Sequence, residues 1–297
     1  MNSIVGNILK KGIVKGQSEI LSNEEMKELE NLLLRSKDKY LKEGELSHNV
    51  IGIDNRIDEL LEKILSNPEI QKTLSVLLGK NYLLRKIVVR YNEPDDKGLM
   101  LHQDSIGEVS LMILVNDQLD GSTVFFQGSQ LIPSEKHLAS KVSWNSLKLM
   151  NKAKYFLMPA IGNAGDYYYF LNRVWHGRKP GNSHKTKIAL FFPCYPVASK
   201  DKHLFLKNSL NSEFDWESVT QPTLKKNISR QDYYSDILKF EKSSDKAFPL
   251  CMKVNSLDQI SKNKVYFAFT ILKIIFLEIL FFPIIIKRFF DNLIKRT

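Results

Sequence analysis

The sequence predicts a mainly β protein with flanking helices. Short runs rich in β-branched and aromatic residues follow one another from residue 82, namely YLLRKIVVRY, VSLMILVND, STVFF, AGDYYYFL and KIALFFPCYP. Turn residues such as Gly, Asp, Asn and Pro separate these runs, which is typical of an antiparallel sandwich or barrel. No helical pattern alternates with the runs, and this argues against a doubly wound α/β sheet.

The chain before these strands has the periodicity of helices. Ser22 followed by Glu25 fits a capping box, and leucines at helical spacing follow it. A second helical segment contains a break at Pro68 and an end at Gly79. Both apolar stripes are expected to pack on the β core. The expected organisation is N-terminal helices at 1–80, a β core at 81–200, polar decoration at 201–262 and a hydrophobic, basic-flanked tail at 263–297.

Composition and charge narrow the class of protein. The chain has 297 residues, of which 43% are hydrophobic and 26% charged, as expected for a folded protein. Its two cysteines are too few for a disulfide framework, and the first ten residues lack the apolar core of a secretory signal, so a cytoplasmic location is expected. The net charge is +10, and residues 259–297 hold seven basic against two acidic residues, which gives +5. These charges flank an apolar run, so anionic lipid is a better partner than nucleic acid.

The tail allows three interpretations. Residues 265–286 are mostly apolar and only Lys273 and Glu278 are charged, and about 20 apolar residues span a bilayer. Two charges within a span cost roughly 2.5–3.5 kcal/mol each, which the many Phe, Ile and Leu residues offset. A tail anchor or in-plane membrane helix is favoured over a buried core helix and over an oligomerisation helix. The membrane interpretation predicts association through residues 265–286.

A pair of residues between the first and second strand runs suggests a metal site. His102 and Asp104 are two apart, so in an extended segment their side chains point to the same side. His176, between two strand runs, is the candidate third ligand. Two His and one carboxylate on one face form the facial triad of non-heme Fe(II) oxygenases. The remaining histidines are expected to be surface residues, His48 in a helical connection and the others in loops or the basic insertion: His137, His184, His203.

The open positions of such a site suit a bidentate 2-oxo acid and O₂. A 2-oxo acid of this kind has a second, distal carboxylate, which needs a cation nearby. Lys187 is eleven residues after His176 and begins the next strand run, so its ammonium group is one candidate. Arg178, two residues after His176, is a competing candidate. The residues alone leave the choice between these two cations open.

Several motifs resemble those of the Fe(II)/2-oxoglutarate-dependent dioxygenases, in particular the phytanoyl-CoA dioxygenase-like branch, with the prolyl-hydroxylase-like branch as a near relative. They are GIVKGQSEILSNEEMKELENLLL, MLHQDS, LMILVNDQLDGSTVFFQGS and GDYYYFLNRVWHGRKPGNSHKTKIALFF, and they lie within residues 11–195. The resemblance implies a double-stranded β-helix, which is a cupin-like jelly roll, followed here by the C-terminal hydrophobic helix. It implies metal ligation by His102, Asp104 and His176 and binding of the co-substrate carboxylate by Lys187. That position is usually Arg in the first branch and Lys in the second.

The same resemblance implies the chemistry. Tyr91 matches a position that often faces the co-substrate, and the implied cofactors are Fe(II), 2-oxoglutarate and O₂, with ascorbate as a candidate reductant. The expected activity is hydroxylation of a small molecule or lipid. Two alternatives stay open, a catalytically silent jelly-roll binding module tethered to a membrane and a cupin-like metalloenzyme that does not use 2-oxoglutarate.

Overall fold

The computed structural model describes residues 3–41, 44–79, 82–84, 86–104, 108–131, 157–181, 184–196, 263–273, 275, 276 and 279. The polar decoration predicted at 201–262 lies outside these residues, as do His137, His203 and Cys251.

Helices form most of the chain before residue 79. They are α1 (Ser3–Lys11), α2 (Asn23–Tyr40), α3 (Asn55–Ser66) and α4 (Pro68–Leu78). The Ser22 and Glu25 capping box is present at the start of α2, since each side chain bonds the other residue's backbone N–H. Asn67 caps α4 through its side chain, Pro68 occupies the first turn of that helix, and Gly79 ends it with a positive φ of 92°. The predicted helix boundaries at these residues are confirmed.

The described chain also forms two antiparallel sheets, with the first two strands lying between the N-terminal helices in sequence. The larger sheet has the strand order β1-β9-β6-β11-β4-β2, with β3 also paired to β11, and the smaller sheet has the order β5-β10-β7-β8. The strands are β1 (Ile13–Lys15), β2 (Ser47–Asn49), β3 (Leu83–Leu84), β4 (Val88–Asn92), β5 (Leu99–His102), β6 (Val109–Leu114), β7 (Thr123–Phe126), β8 (Met158–Pro159), β9 (Tyr167–Leu171), β10 (Trp175–Arg178) and β11 (Lys187–Tyr195).

The larger sheet is buried on both faces. On β9, Tyr167 and Tyr169 belong to the core shared with the helices, whereas Tyr168 and Phe170 belong to a second core. That second core also contains Phe125 of the smaller sheet, so it lies between the two sheets. Because side chains alternate along a strand, a strand with two buried faces has an unbroken apolar sequence. The layers are therefore helices, larger sheet and smaller sheet.

The tail helix, defined here as residues 264–273 with 275, 276 and 279, packs on this domain. Its Tyr266 and Phe267 are partly buried against the core shared by the helices and the larger sheet, and Thr270 is buried. Among the described residues, no helix is both long enough and apolar enough to cross a bilayer.

The structure corrects the expectation for one histidine. His48 lies on strand β2 rather than in a helical connection, and its ring stacks on Tyr91 at 5.8 Å. Burial lowers the pKa of His48, against a smaller opposing effect of Glu45. His184 is exposed, as expected.

Candidate metal centre

The structure brings His102, Asp104 and His176 together on the smaller sheet. His102 and His176 are directly opposite each other in the antiparallel pair of β5 and β10, and their ring centroids are 4.4 Å apart. One ligand atom from each of the three residues lies within 4.8 Å of the others. Asp104 is the link, since its two carboxylate oxygens are 3.2 Å from His176 Nε2 and 3.6 Å from His102 Nε2. Two imidazoles and a carboxylate converging from one side fit a divalent metal ion such as Fe(II).

The surroundings of the cluster orient its ligands. His176 Nδ1 is 2.9 Å from the carbonyl oxygen of Val174, which favours a proton on Nδ1 and leaves the Nε2 lone pair for a metal. The backbone N–H of Asp104 donates to the carbonyl oxygen of Asn172. Burial raises the pKa of the Asp104 carboxyl, but the neighbouring His176, His102 and Arg90 outweigh it and lower the pKa overall. The carboxylate is therefore in the form that binds a metal.

The cluster borders a cavity of about 280 Å³ between the two sheets. His176 is almost fully buried, whereas Asp104 is exposed. Phe170 and Phe125 lie against the His176 ring, with centroids at 5.2 Å and 6.1 Å. These rings keep one side of the cluster apolar, and the cavity leaves the other side accessible to a small molecule.

Arg178 lines the same cavity, but a buried carboxylate neutralises it. Its Nε is 2.6 Å from Asp96 Oδ2, and its terminal Nη2 donates to Asp96 Oδ1 at 3.0 Å. The two side chains are only 7% and 2% exposed. A ligand carboxylate that displaced Asp96 would leave that acid buried and unpaired, which is costly.

Lys187 has a more accessible partner. It begins β11 on the same face as Ala189 and Phe191, which belong to the core between the sheets, and it is itself buried. Its ammonium group pairs with Asp120, whose side chain is 42% exposed. Burial raises the Asp120 pKa, but the hydrogen bond and charge of Lys187 exceed this effect and lower it overall. Water can solvate Asp120 if another carboxylate replaces it at Lys187.

Tyr91 faces away from the cluster. It alternates with Arg90 on β4, lies in the core shared with the helices, and donates its hydroxyl to the carbonyl oxygen of Leu33 at 2.6 Å. This position is inconsistent with the predicted contact between Tyr91 and a co-substrate in the cavity. Tyr91 packs against the helix layer instead.

Sequence reasoning missed two features of the cavity wall. Arg90 borders the cavity and lies over the Phe191 ring at 5.6 Å, and no ion pair of its guanidinium is found within the described residues. The buried Glu108 accepts hydrogen bonds from Asn172 and from the Tyr195 hydroxyl. Because side chains alternate along a strand, Arg90 and Tyr91 point to opposite faces of β4. Knowing which face borders the cavity would therefore have identified Arg90.

Comparisons with known proteins support the fold. Searches against protein-family models and curated protein sequences found no match. Among solved structures, HygX from Streptomyces hygroscopicus with nickel and 2-oxoglutarate bound is similar at a TM-score of 0.53 and 12% identity, over 66% of this chain and 87% of HygX.

Two further structures give the same result. EctD from S. alaskensis with 2-oxoglutarate and 5-hydroxyectoine has a TM-score of 0.51 at 13% identity, over 66% of this chain and 76% of EctD. SnoK, a non-heme alpha ketoglutarate dependent carbocyclase from nogalamycin biosynthesis, has a TM-score of 0.52 at 19% identity, over 69% of this chain and 89% of SnoK. The chain therefore shares the fold of these three proteins, a jelly roll of two antiparallel sheets.

Proposed function

We propose that the protein is an Fe(II)- and 2-oxoglutarate-dependent oxygenase that hydroxylates a small organic molecule. The observation that supports this most directly is the convergence of His102, Asp104 and His176 beside a cavity, with ligand atoms within 4.8 Å of one another. Fe(II) held there with 2-oxoglutarate and O₂ would supply the oxidant, as 2-oxoglutarate becomes succinate and CO₂ and one oxygen atom enters a substrate C–H bond.

The protein's own residues bind and orient the reactants in this proposal. The hydrogen bond at His176 Nδ1 fixes the ring that binds the metal, and the lowered pKa keeps Asp104 ionised. We assign the distal carboxylate of 2-oxoglutarate to Lys187 rather than Arg178. Asp120 is 42% exposed and can return to solvent when Lys187 takes a ligand, whereas Asp96 is buried with Arg178 and cannot.

The proposal includes a subgroup and a substrate class. We assign the chain to the phytanoyl-CoA dioxygenase-like branch or its prolyl-hydroxylase-like relative, because its HQD and WHG motifs resemble theirs and Lys187 stands where the first branch usually has Arg. The apolar tail suggests a lipid or membrane-linked substrate. EctD was crystallised with 5-hydroxyectoine and a second HygX structure contains hygromycin B, so proteins of this fold also accept polar small molecules.

Two rival functions make different predictions. A silent binding module would form no succinate, and a metalloenzyme without 2-oxoglutarate would turn over without that co-substrate. The cluster argues against the first, since two imidazoles and a carboxylate grouped at a cavity have no evident structural role. The Lys187 ammonium, buried and facing the core between the sheets, argues against the second.

The test measures succinate formed from 2-oxoglutarate by the purified chain with Fe(II), ascorbate and air, together with a search for a metabolite or lipid that gains one oxygen atom. We expect His176→Ala to abolish succinate formation and Lys187→Met to raise the 2-oxoglutarate concentration required. His184→Ala and Lys185→Met change exposed residues of the same types and should leave both readouts unchanged. Succinate formation that persists in His176→Ala would refute the proposal.

A further inference from the structure

The tail helix has one face against the protein and one face in solvent. Thr270 is 1% exposed on the inner face. The outer face consists of large apolar side chains that are between 46% and 72% exposed, namely Val265, Phe269, Leu272, Ile275, Phe276 and Ile279. Single exposed apolar residues are ordinary, whereas a continuous patch of this kind marks an interaction surface.

The inner face fixes the helix to the domain. A Cβ atom built on Gly128 would lie 2.3 Å from Thr270 Oγ1 and 2.8 Å from Tyr266 Cε1, so glycine is needed for this close approach. The ammonium group of Lys10, on α1, lies 5.4 Å from the centre of the Tyr266 ring. Because these contacts hold one side of the helix, its apolar side is directed outward.

The outer face has lysines on both borders. Successive helix residues are separated by about 100°, so the spacing of residues 265, 269, 272, 276 and 279 keeps them on one side. By the same geometry Lys264 lies about 100° to one side of Val265 and Lys273 about 80° to the other. In general, a lysine at the border of an apolar helix face lays its methylene groups along that face and keeps its ammonium group in a polar environment, such as lipid headgroups.

We propose that the tail helix docks the protein on an anionic lipid bilayer, with the helix in the plane of the surface and its outer face among the acyl chains. An apolar face bordered by basic residues is the pattern of interfacial helices. Residues 264–279 carry Lys264 and Lys273 against the single acid Glu278, and the chain as a whole carries +10. Anionic headgroups complement both charges.

A second copy of the chain fits the same face less well. The spacing of four and three residues also suits a coiled coil, in which charged pairs at the flanking positions select the partner. Those positions here are Tyr266, Ala268, Lys273 and Ile275, which offer no acid to pair with a lysine of the other copy. Lys273 would find no acid across such a seam, whereas a bilayer supplies anionic headgroups.

Vesicle co-sedimentation of the full chain, without metal or co-substrate, tests this docking. We expect binding to phosphatidylcholine vesicles that contain phosphatidylglycerol and much weaker binding to phosphatidylcholine alone. Val265→Ser/Leu272→Ser should lower the partition coefficient at least about tenfold. The matched pair Leu34→Ser/Val76→Ser removes the same residue types from exposed positions on α2 and α4 and should leave binding unchanged.

Charge and depth provide two further readouts. Lys264→Gln/Lys273→Gln should weaken binding to anionic vesicles by about fivefold per lysine, with Lys27→Gln/Lys72→Gln as the control. Fluorophores on Val265→Cys, Leu272→Cys and Ile279→Cys, each in a Cys251→Ser background, should all report the same shallow depth. Depths that increase along the helix would show a spanning helix and overturn the in-plane orientation.

Three other outcomes would overturn the proposal. The first is absence of binding to anionic vesicles. The second is equal loss of binding in the tail pair and in the matched pair. The third is a dimer in light scattering that Val265→Ser/Leu272→Ser dissociates, without vesicle binding, which would assign the outer face to a second copy of the chain.

Discussion

The ion pair between Arg178 and Asp96 predicts a large loss of stability when one partner is neutralised. Asp96→Asn keeps the size of the side chain and an oxygen that accepts from the Gly98 N–H, but it removes the charge opposite Arg178. Both side chains are less than a tenth exposed, so the guanidinium is left buried without a counter-charge. Breaking a buried pair in this way costs about 3–5 kcal/mol.

Removing both charges together should cost less stability than removing Asp96 alone. Asp96→Asn/Arg178→Met leaves no buried ion, so we expect it to recover about half or more of the loss. Urea unfolding followed by circular dichroism gives the free energies of unfolding of the original chain, the single variant, the double variant and the Glu59→Gln control. As an exposed control, Glu59→Gln breaks a pair with Arg56 whose side chains are 55% and 44% exposed, and should cost less than about 1 kcal/mol.

The result that would refute this reasoning is a loss below about 1 kcal/mol in Asp96→Asn, equal to that of the exposed pair. The two charges would then be hydrated in solution, and Arg178 would be as free as Lys187 to bind a ligand carboxylate. The assignment of the co-substrate carboxylate to Lys187 would lose its main support.

Three further predictions concern the helices and the core. Ser22→Ala removes the side-chain acceptor for the Glu25 N–H and should cost about 1 kcal/mol in urea unfolding; no change would mean that the capping box is not formed in solution. Leu190→Ala, at a fully buried position of β11, should cost about 2–5 kcal/mol by the same assay, and a loss below 1 kcal/mol would contradict tight packing of the larger sheet on the helices. Burial raises the pKa of Asp58 from 3.8 to about 6 in the folded chain, so the protonated form is favoured and stability falls by about 2 kcal/mol as the pH rises from 4 to 6. Asp58→Asn should remove this decline, and a decline of the same size in that variant would assign it to other groups.

The fold class was predictable because its signals are local. Strand runs separated by turn residues, the Ser22 capping box and the Pro68 break each depend on residues close in sequence. The pairing of His102 with Asp104 is also local, because residues two apart on a strand share a side. The strand context and the motif resemblance indicated His176 as the third ligand, whereas its position opposite His102 depends on the register of β5 and β10.

The direction of the β4 side chains was not predictable. KIVVRY has Lys86 and Arg90 on one side and Ile87, Val89 and Tyr91 on the other, but both faces of the larger sheet are covered, so this alternation does not reveal which side borders the cavity. The motif resemblance suggested Tyr91 for the co-substrate site, whereas the structure directs Arg90 to the cavity. The partners Asp96 and Asp120 were missed for a related reason, since they lie in loops whose positions depend on tertiary contacts.

The most direct test of the account is anaerobic binding of Fe(II) and 2-oxoglutarate, measured by calorimetry and metal analysis. We predict one metal ion per chain, 2-oxoglutarate binding only when the metal is present, loss of both in His176→Ala, and loss of 2-oxoglutarate alone in Lys187→Met. Metal binding that is unchanged in His176→Ala, or 2-oxoglutarate binding that needs no metal, would contradict the proposed iron site.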